Sequence, residues 1–254
     1  MPHLRDIVST QPLDQPELPL IHTSRCEYLN GFVLSKTISP RPCTRFSEDL
    51  IYFFYGRPAY RSSKGTKPSE PIDLCPLCFV FKPATIPKTN VRRVFPCDTG
   101  AMKDRIFEPD LNWADQIDLA LAPTIESARQ LVSLCFHDNA SYYFGKLSPT
   151  LSPDPGSTFE RYCTLIKRAP TERADDRRSA IEVQVNGSVH LSGQLLFVAL
   201  PREFFSEASI KDAVENHWKC EAICYPTFIG GAPAEYYSVV RDRITMWLEQ
   251  KGYL

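Results

Sequence analysis

No run of residues in this sequence approaches the ~20 consecutive apolar positions that a membrane-spanning helix needs. The first twenty residues, MPHLRDIVSTQPLDQPELPL, also lack the apolar stretch of a secretory signal. Both absences lead to the expectation of a soluble cytoplasmic chain with no membrane partner. Surplus charge is missing as well. The 29 lysines and arginines stand against 30 aspartates and glutamates, leaving a formal net charge of -1. A global positive field is therefore excluded, and any nucleic-acid surface has to be a local patch. There is no internal repeat, and strand and helix signals do not alternate as regular βαβ units, so α+β is the expected fold class.

What is present fits a folded protein. The hydrophobic fraction is 43% and the charged fraction 23%, which excludes wholesale disorder. A length of 254 residues is long for one core and short for two, giving one domain with extensions. The expected division is an N-terminal arm over 1–19 and a single domain over 20–254, with 195–254 as a C-terminal extension packed on it. The 22 prolines exceed the usual share of about 5% and cut the chain into short elements, against a helical bundle. The nine cysteines are odd in number and scattered, which reads as reduced thiols. Cys75-Pro-Leu-Cys78 with Cys220 and Cys224 offers the four thiolates of a structural zinc site. The second pair is more widely spaced and the first runs into an apolar strand, so the expectation is no bound metal.

Strands are expected at residues 20–23, 49–55, 78–81, 91–95, 180–185, 189–191 and 195–200, with helices at 26–34, 113–136, 210–218 and 234–251. The aromatic run Tyr52-Phe53-Phe54-Tyr55 has strong strand preference and is stopped by Gly56 and Pro58. Asn186-Gly187 reads as a hairpin turn between two of the late strands. The proline-rich stretch 148–158 reads as a loop.

Three segments carry chemistry. They are Ile21-His22-Thr23, the run Tyr52-Phe53-Phe54-Tyr55-Gly56-Arg57, and Arg177-Arg178-Ser179-Ala180-Ile181-Glu182-Val183. Their order, a His-Thr strand, an aromatic strand with an arginine, then a late strand glutamate after a basic segment, resembles the ADP-ribosyltransferases. Within that superfamily it is most similar to the DarT-like toxins that modify DNA bases. The resemblance covers roughly residues 20–61 and 175–192. Pro58 and Ala59 stand where those toxins carry serine and methionine, and Ile181 intervenes between Ala180 and Glu182. It implies a split, mainly antiparallel sheet with flanking helices, and NAD as substrate. It further implies mono-ADP-ribosyl transfer to a macromolecular acceptor, a nucleic-acid base first, in a toxin or anti-phage setting with an antitoxin as partner.

The residue chemistry supports these roles independently. Cleaving the nicotinamide–ribose bond passes through an oxocarbenium-like state that a carboxylate stabilises, a role for Glu182. Its alternative is an outward-facing strand carboxylate with no task. His22 and Thr23 can hydrogen-bond a ribose, Tyr52 and Phe54 can stack on nicotinamide, and Arg57 can hold a diphosphate with its planar fork. Arg57 is assigned charge compensation in catalysis and not proton abstraction. Tyr55, Tyr60, Arg61, Arg177 and Arg178 form a basic aromatic strip suited to single-stranded DNA or RNA. At most two of the four aromatics can face a ligand, because strand residues alternate sides. A protein-modifying transferase, an NAD glycohydrolase and a non-enzymatic, zinc-stabilised binding module are the rival readings.

Overall fold

The computed structural model describes residues 3–60, 72–168, 177–228 and 231–254. The proline-bearing arm is not all extended: it opens with helix α1 (Leu4–Val8), whose Leu4 and Val8 are buried. Strand β1 (Leu20–Arg25) follows, then a short turn of helix and α2 (Leu29–Ser35). Two short strands, β2 (Thr37–Ile38) and β3 (Arg41–Cys43), lead into the long β4 (Glu48–Tyr55). The next elements are β5 (Pro76–Phe81), β6 (Val91–Phe95), α3 (Thr99–Lys103) and α4 (Gln116–Leu119). Helices α5 (Ile125–Cys135), α6 (Asn139–Tyr143) and α7 (Thr158–Lys167) precede β7 (Glu182–Val185), β8 (Val189–His190) and β9 (Leu195–Pro201). The chain ends with α8 (Arg202–Phe205), α9 (Ala208–Asp212), β10 (Glu221–Tyr225) and α10 (Tyr236–Gln250).

The main sheet runs β10-β9-β5-β1-β4-β7-β6, with β3 attached to the outer half of β4. Every pairing in it is antiparallel except β9–β10. The molecule is thus an α+β protein with a mainly antiparallel sheet and flanking helices. Aromatic and β-branched residues fill the strands because both faces of the sheet are covered: all six residues of β5 are buried.

One joint in this sheet is weak. β1 and β5 pair over six residues, but β1 and β4 pair only at Leu20↔Tyr55 and Ile21↔Phe54. Beyond Ile21 the two strands part, and the His22 ring fills the gap, its Nδ1 2.9 Å from the Tyr52 carbonyl. Gly56 closes β4 with φ 68°, and a Cβ there would collide with Leu18. A left-handed turn under a buried leucine admits glycine alone at low cost.

Several expected elements differ. The helical stretch at 113–136 is broken into a 3-10 turn, α4 and α5, because Pro123 interrupts the backbone hydrogen bonds and Thr124 caps a new helix. Residues 180–191 form no hairpin: β8 pairs with β2 in a separate ribbon, so Asn186-Gly187 turns the chain out of the sheet. The helix expected at 210–218 divides into α9 and a π-helical turn. Helices α3, α6 and α7 and strands β2, β3 and β10 carry too short or too polar a pattern to be read from periodicity, although Ser157 does cap α7 through the Glu160 amide. Residues 195–254 are no loose extension. β9 and β10 complete the sheet, and α10 packs on β5, β9 and β10, with Phe197 and Trp247 rings 4.6 Å apart.

Candidate functional site

Where β1 and β4 separate, two adjoining cavities open. The larger, about 630 Å³, is lined by His22 and Thr23 of β1, Tyr28 and Phe32, Ile51 and Tyr52 of β4, and the 37–45 segment with Arg41 and Arg45. The smaller, about 360 Å³, is lined by Thr23, Ser24, Arg25, Tyr28, Phe54, Ala59, Tyr60 and Asp98. Thr23, Ser24 and Tyr28 belong to both, so the two form the ends of one cleft. Their volumes fall in the range of small-molecule sites, about 300–1,000 Å³.

Strand alternation decides which side chains reach the cleft. Tyr52 and Phe54 lie on one face and line the larger and smaller cavities respectively. Phe53 and Tyr55 take the other face and are fully buried. Tyr55 therefore has no part in an acceptor surface: its ring lies 6.3 Å from that of Tyr142, and its hydroxyl accepts from the Leu18 amide.

His22 is neutral. Burial pushes its pKa down to about 4, and its Nδ1–H donates to the Tyr52 carbonyl. That leaves Nε2 as a hydrogen-bond acceptor in the larger cavity. Thr23 bridges to the smaller cavity, its hydroxyl donating to the Ala59 carbonyl at 2.5 Å. Arg41 lies over the Tyr28 ring at 4.3 Å, and Arg45 is held by Asp104 at 3.3 Å. Tyr52 donates its hydroxyl to the Cys43 thiol at 2.8 Å, and burial raises its pKa out of reach of ordinary pH.

Glu182 begins β7 and sits directly across from Phe54 of β4 and Phe95 of β6, which fixes its side chain on the cleft face of the sheet. It is 1% exposed and does not line either cavity. Its carboxyl receives the Thr99 hydroxyl at 2.7 Å, the Thr99 amide at 3.1 Å and the Gln184 amide at 2.7 Å. Burial, and then the neighbouring Asp98 charge, push its pKa up to about 8, while the Gln184 and Thr99 hydrogen bonds work the other way. A buried carboxyl with three donors and a raised pKa is no surface glutamate, and perturbed carboxyls of this kind concentrate at functional sites.

Among the described residues, two carboxylates line the cleft, Glu27 at the larger cavity and Asp98 at the smaller. Asp98 caps α3, accepting the Ala101 amide at 2.7 Å, and its other oxygen lies 3.6 Å from Arg177. It is 8% exposed and lines the smaller cavity. Its turn-rich setting, Phe95-Pro-Cys-Asp-Thr-Gly, is visible in the sequence, but nothing there ties it to Glu182. Thr99 and Gln184 give no sequence signal either: Gln184 reaches the carboxyl from two positions along β7, and Thr99 from the start of α3.

The arginines expected at the site are mostly elsewhere. Arg57 is 2% exposed, donates to the Ser179 hydroxyl at 2.6 Å and the Tyr142 carbonyl at 3.3 Å, and lines neither cavity. It joins the β4 end to α6 and the segment before β7. Arg177 is buried against Asp98, and Arg178 donates to the Arg168 carbonyl. Tyr60 does line the smaller cavity, and Arg61 lies outside the described residues. Among the described residues, the cations that line the cleft are Arg25, Arg41 and Arg45, none of them in the aromatic or glutamate segments.

All nine cysteines are free thiols. Among the described residues no group of three or more His, Cys, Asp or Glu is arranged to hold a metal ion, so Cys75, Cys78, Cys220 and Cys224 are not gathered as four ligands. Among the same residues no helix is long and apolar enough to cross a membrane. No protein-family model matches the chain, and no curated protein matches its sequence.

Proposed function

We propose that this protein is a mono-ADP-ribosyltransferase that takes NAD as donor and a macromolecule as acceptor, a single-stranded DNA or RNA base first. One observation carries the reading. The three sequence segments that resemble the ADP-ribosyltransferases, distant along the chain, meet at the parting of β1 and β4: His22 and Thr23, Tyr52 and Phe54, and Glu182 opposite Phe54. The parting agrees with the split sheet that the resemblance implies.

NAD is the substrate that fits such a cleft, and each contact has a physical basis. Neutral His22 accepts a ribose hydroxyl through Nε2. Arg41 and Arg45 face the larger cavity and replace Arg57 as the groups that meet the diphosphate. Phe54 offers an apolar face to nicotinamide as the ring leaves. Glu182 supplies negative charge to the ribosyl cation. Its carboxylate form, which the Thr99 and Gln184 donors favour against burial, stabilises the positive charge that grows on the ribose more than it stabilises resting NAD. Toxin action and an antitoxin partner rest on the resemblance alone.

The test is incubation of the protein with NAD labelled in the adenosine half, together with single-stranded DNA, RNA and protein. Label on an oligonucleotide supports the reading in full. Label only on protein makes it a protein-modifying transferase, and label only in free ADP-ribose makes it an NAD glycohydrolase. NAD left intact with every acceptor overturns the reading and favours a binding module.

A further inference from the structure

Beside the smaller cavity stand two carboxyl groups with different access, Glu182 buried and Asp98 in the cavity lining, and only Glu182 has been given a role. Glu182 is sealed behind Thr99 and Gln184. Asp98 opens onto the smaller cavity, beside Phe54, Ala59 and Tyr60. Of the charged side chains lining that cavity among the described residues, Arg25 is already turned to Glu27 at 3.2 Å. Asp98 is therefore the one carboxylate there. One of its oxygens is committed to the Ala101 amide, and the other is 3.6 Å from Arg177, too long for a strong hydrogen bond.

We propose that Asp98 is the general base of the reaction: it takes the proton from the acceptor as the acceptor attacks the ribose. The proposal rests on the transferase reading above and deepens it. In the step, the bond from ribose C1′ to nicotinamide breaks and its electron pair leaves with nicotinamide. A lone pair of the acceptor forms the new bond to C1′. The proton displaced from the acceptor passes to the Asp98 carboxylate and from there to solvent. No oxidant or reductant is involved. The two carboxyls then divide the work, Glu182 stabilising the ribosyl cation and Asp98 removing a proton, as environment sets different roles for paired acids. The cap explains why the base sits so firmly: the oxygen that faces Arg177 is positioned by the same side chain that starts α3.

Asp98→Asn separates the two functions of this side chain. Asparagine is an equally good helix cap but removes the charge facing the buried Arg177, so a melting curve establishes that the variant is folded before rates are compared. Nicotinamide release from NAD is followed with three nucleophiles: water, a mixed-sequence single-stranded DNA, and sodium azide. Azide is anionic and has no proton to lose. With water or DNA, Asp98→Asn is expected to lower the rate about 10²–10⁴-fold. With azide, the variant recovers and makes ADP-ribosyl azide. Glu182→Gln is not rescued by azide, because its lesion is in the departure of nicotinamide. An Asp98→Asn rate equal to wild type, or a loss that azide leaves untouched, overturns the assignment of Asp98 while leaving the transferase reading in place. A wild-type protein that releases nicotinamide with none of the three overturns that reading and this one together.

Discussion

At the larger end of the cleft a neutral histidine and two arginines, Arg41 and Arg45, line a cavity of about 630 Å³. At the smaller end, about 360 Å³, an aspartate sits among Phe54, Ala59 and Tyr60. The same strands build both ends, so the contrast comes from what is added to them. The 37–45 segment adds Arg41 and Arg45 to the end that also holds Glu27, and the turn after β6 adds Asp98 to the end that also holds Arg25. Phosphate chemistry suits the first and proton removal the second. The scaffolds also differ. The smaller end is buttressed from the C-terminal region: Tyr237 of α10 stacks on Tyr60 at 5.8 Å and donates its hydroxyl to the Pro58 carbonyl at 2.7 Å. Residues 195–254, which the motif resemblance leaves unexplained, thus shape the wall of the proposed acceptor end.

After Asp98→Asn, the largest expected effect lies between the two ends, at Glu182. Glu182→Gln keeps a side chain of the same shape and is expected to lower NAD-dependent nicotinamide release about 10²–10³-fold. The same variant has a stability signature. A carboxyl whose folded pKa is raised contributes stability that is present below its unfolded value, near 4.5, and is lost as pH rises through about 8. Denaturant unfolding at pH 6 and pH 9 is therefore expected to show the wild type weakening more than the variant. Equal pH dependence of the two proteins rules out a proton held at Glu182.

Arg57→Ala separates a structural arginine from a ligand-binding one. Its removal leaves the buried Ser179 hydroxyl short of a donor, while the Tyr142 carbonyl keeps the Gly145 amide, at a cost of about 1–3 kcal/mol in unfolding free energy. NAD affinity in the still-folded fraction stays as in wild type. A Kd for NAD that rises with no loss of stability moves the phosphate end of the cleft to Arg57.

His22→Ala is expected to raise the Kd for NAD about fivefold, the worth of about 1 kcal/mol from one hydrogen bond. Arg41→Ala acts at the same end, and calorimetric titration is expected to show its effect shrinking as salt is raised, whereas that of His22→Ala persists. The same salt response in both would mean that His22 acts through charge, against its neutral state.

The smallest effect belongs to the buttress. Tyr237→Phe keeps the stacking and loses one hydrogen bond to the Pro58 carbonyl, about 1 kcal/mol of stability. At the acceptor end it is expected to raise the KM for the oligonucleotide without changing the Kd for NAD. A change in NAD affinity instead would show that the two ends are not independent.

Much of the sheet was legible in the sequence. The Val91–Phe95 strand, the β4 aromatics stopped at Gly56 and the buried core of β5 follow from β-branched and aromatic content. The split of Tyr52 and Phe54 from Phe53 and Tyr55 follows from alternation, which also explains why Tyr55 could not serve the acceptor. Less of the site was legible. Arg57 follows an aromatic strand and a glycine, yet that local pattern is the same whether the side chain meets a phosphate or a buried hydroxyl. Arg41 and Arg45 stand among prolines with no periodicity to orient them. Asp98 carries the mark of a helix cap, and a cap beside a cavity looks the same in sequence as a cap beside water.

By itself the sequence determined that strands lie within residues 49–55 and 180–185, that their alternate residues face opposite ways, and that Gly56 ends the aromatic strand. These are local properties, set by side-chain sterics and backbone dihedrals within a few residues. Only the tertiary structure decided that Glu182 pairs with Phe54, that Thr99 donates to its carboxyl, and that β1 leaves β4 after two residue pairs. Pairing register between strands more than a hundred residues apart is fixed by the packing of the whole sheet, because a one-residue slip would turn every side chain to the opposite face.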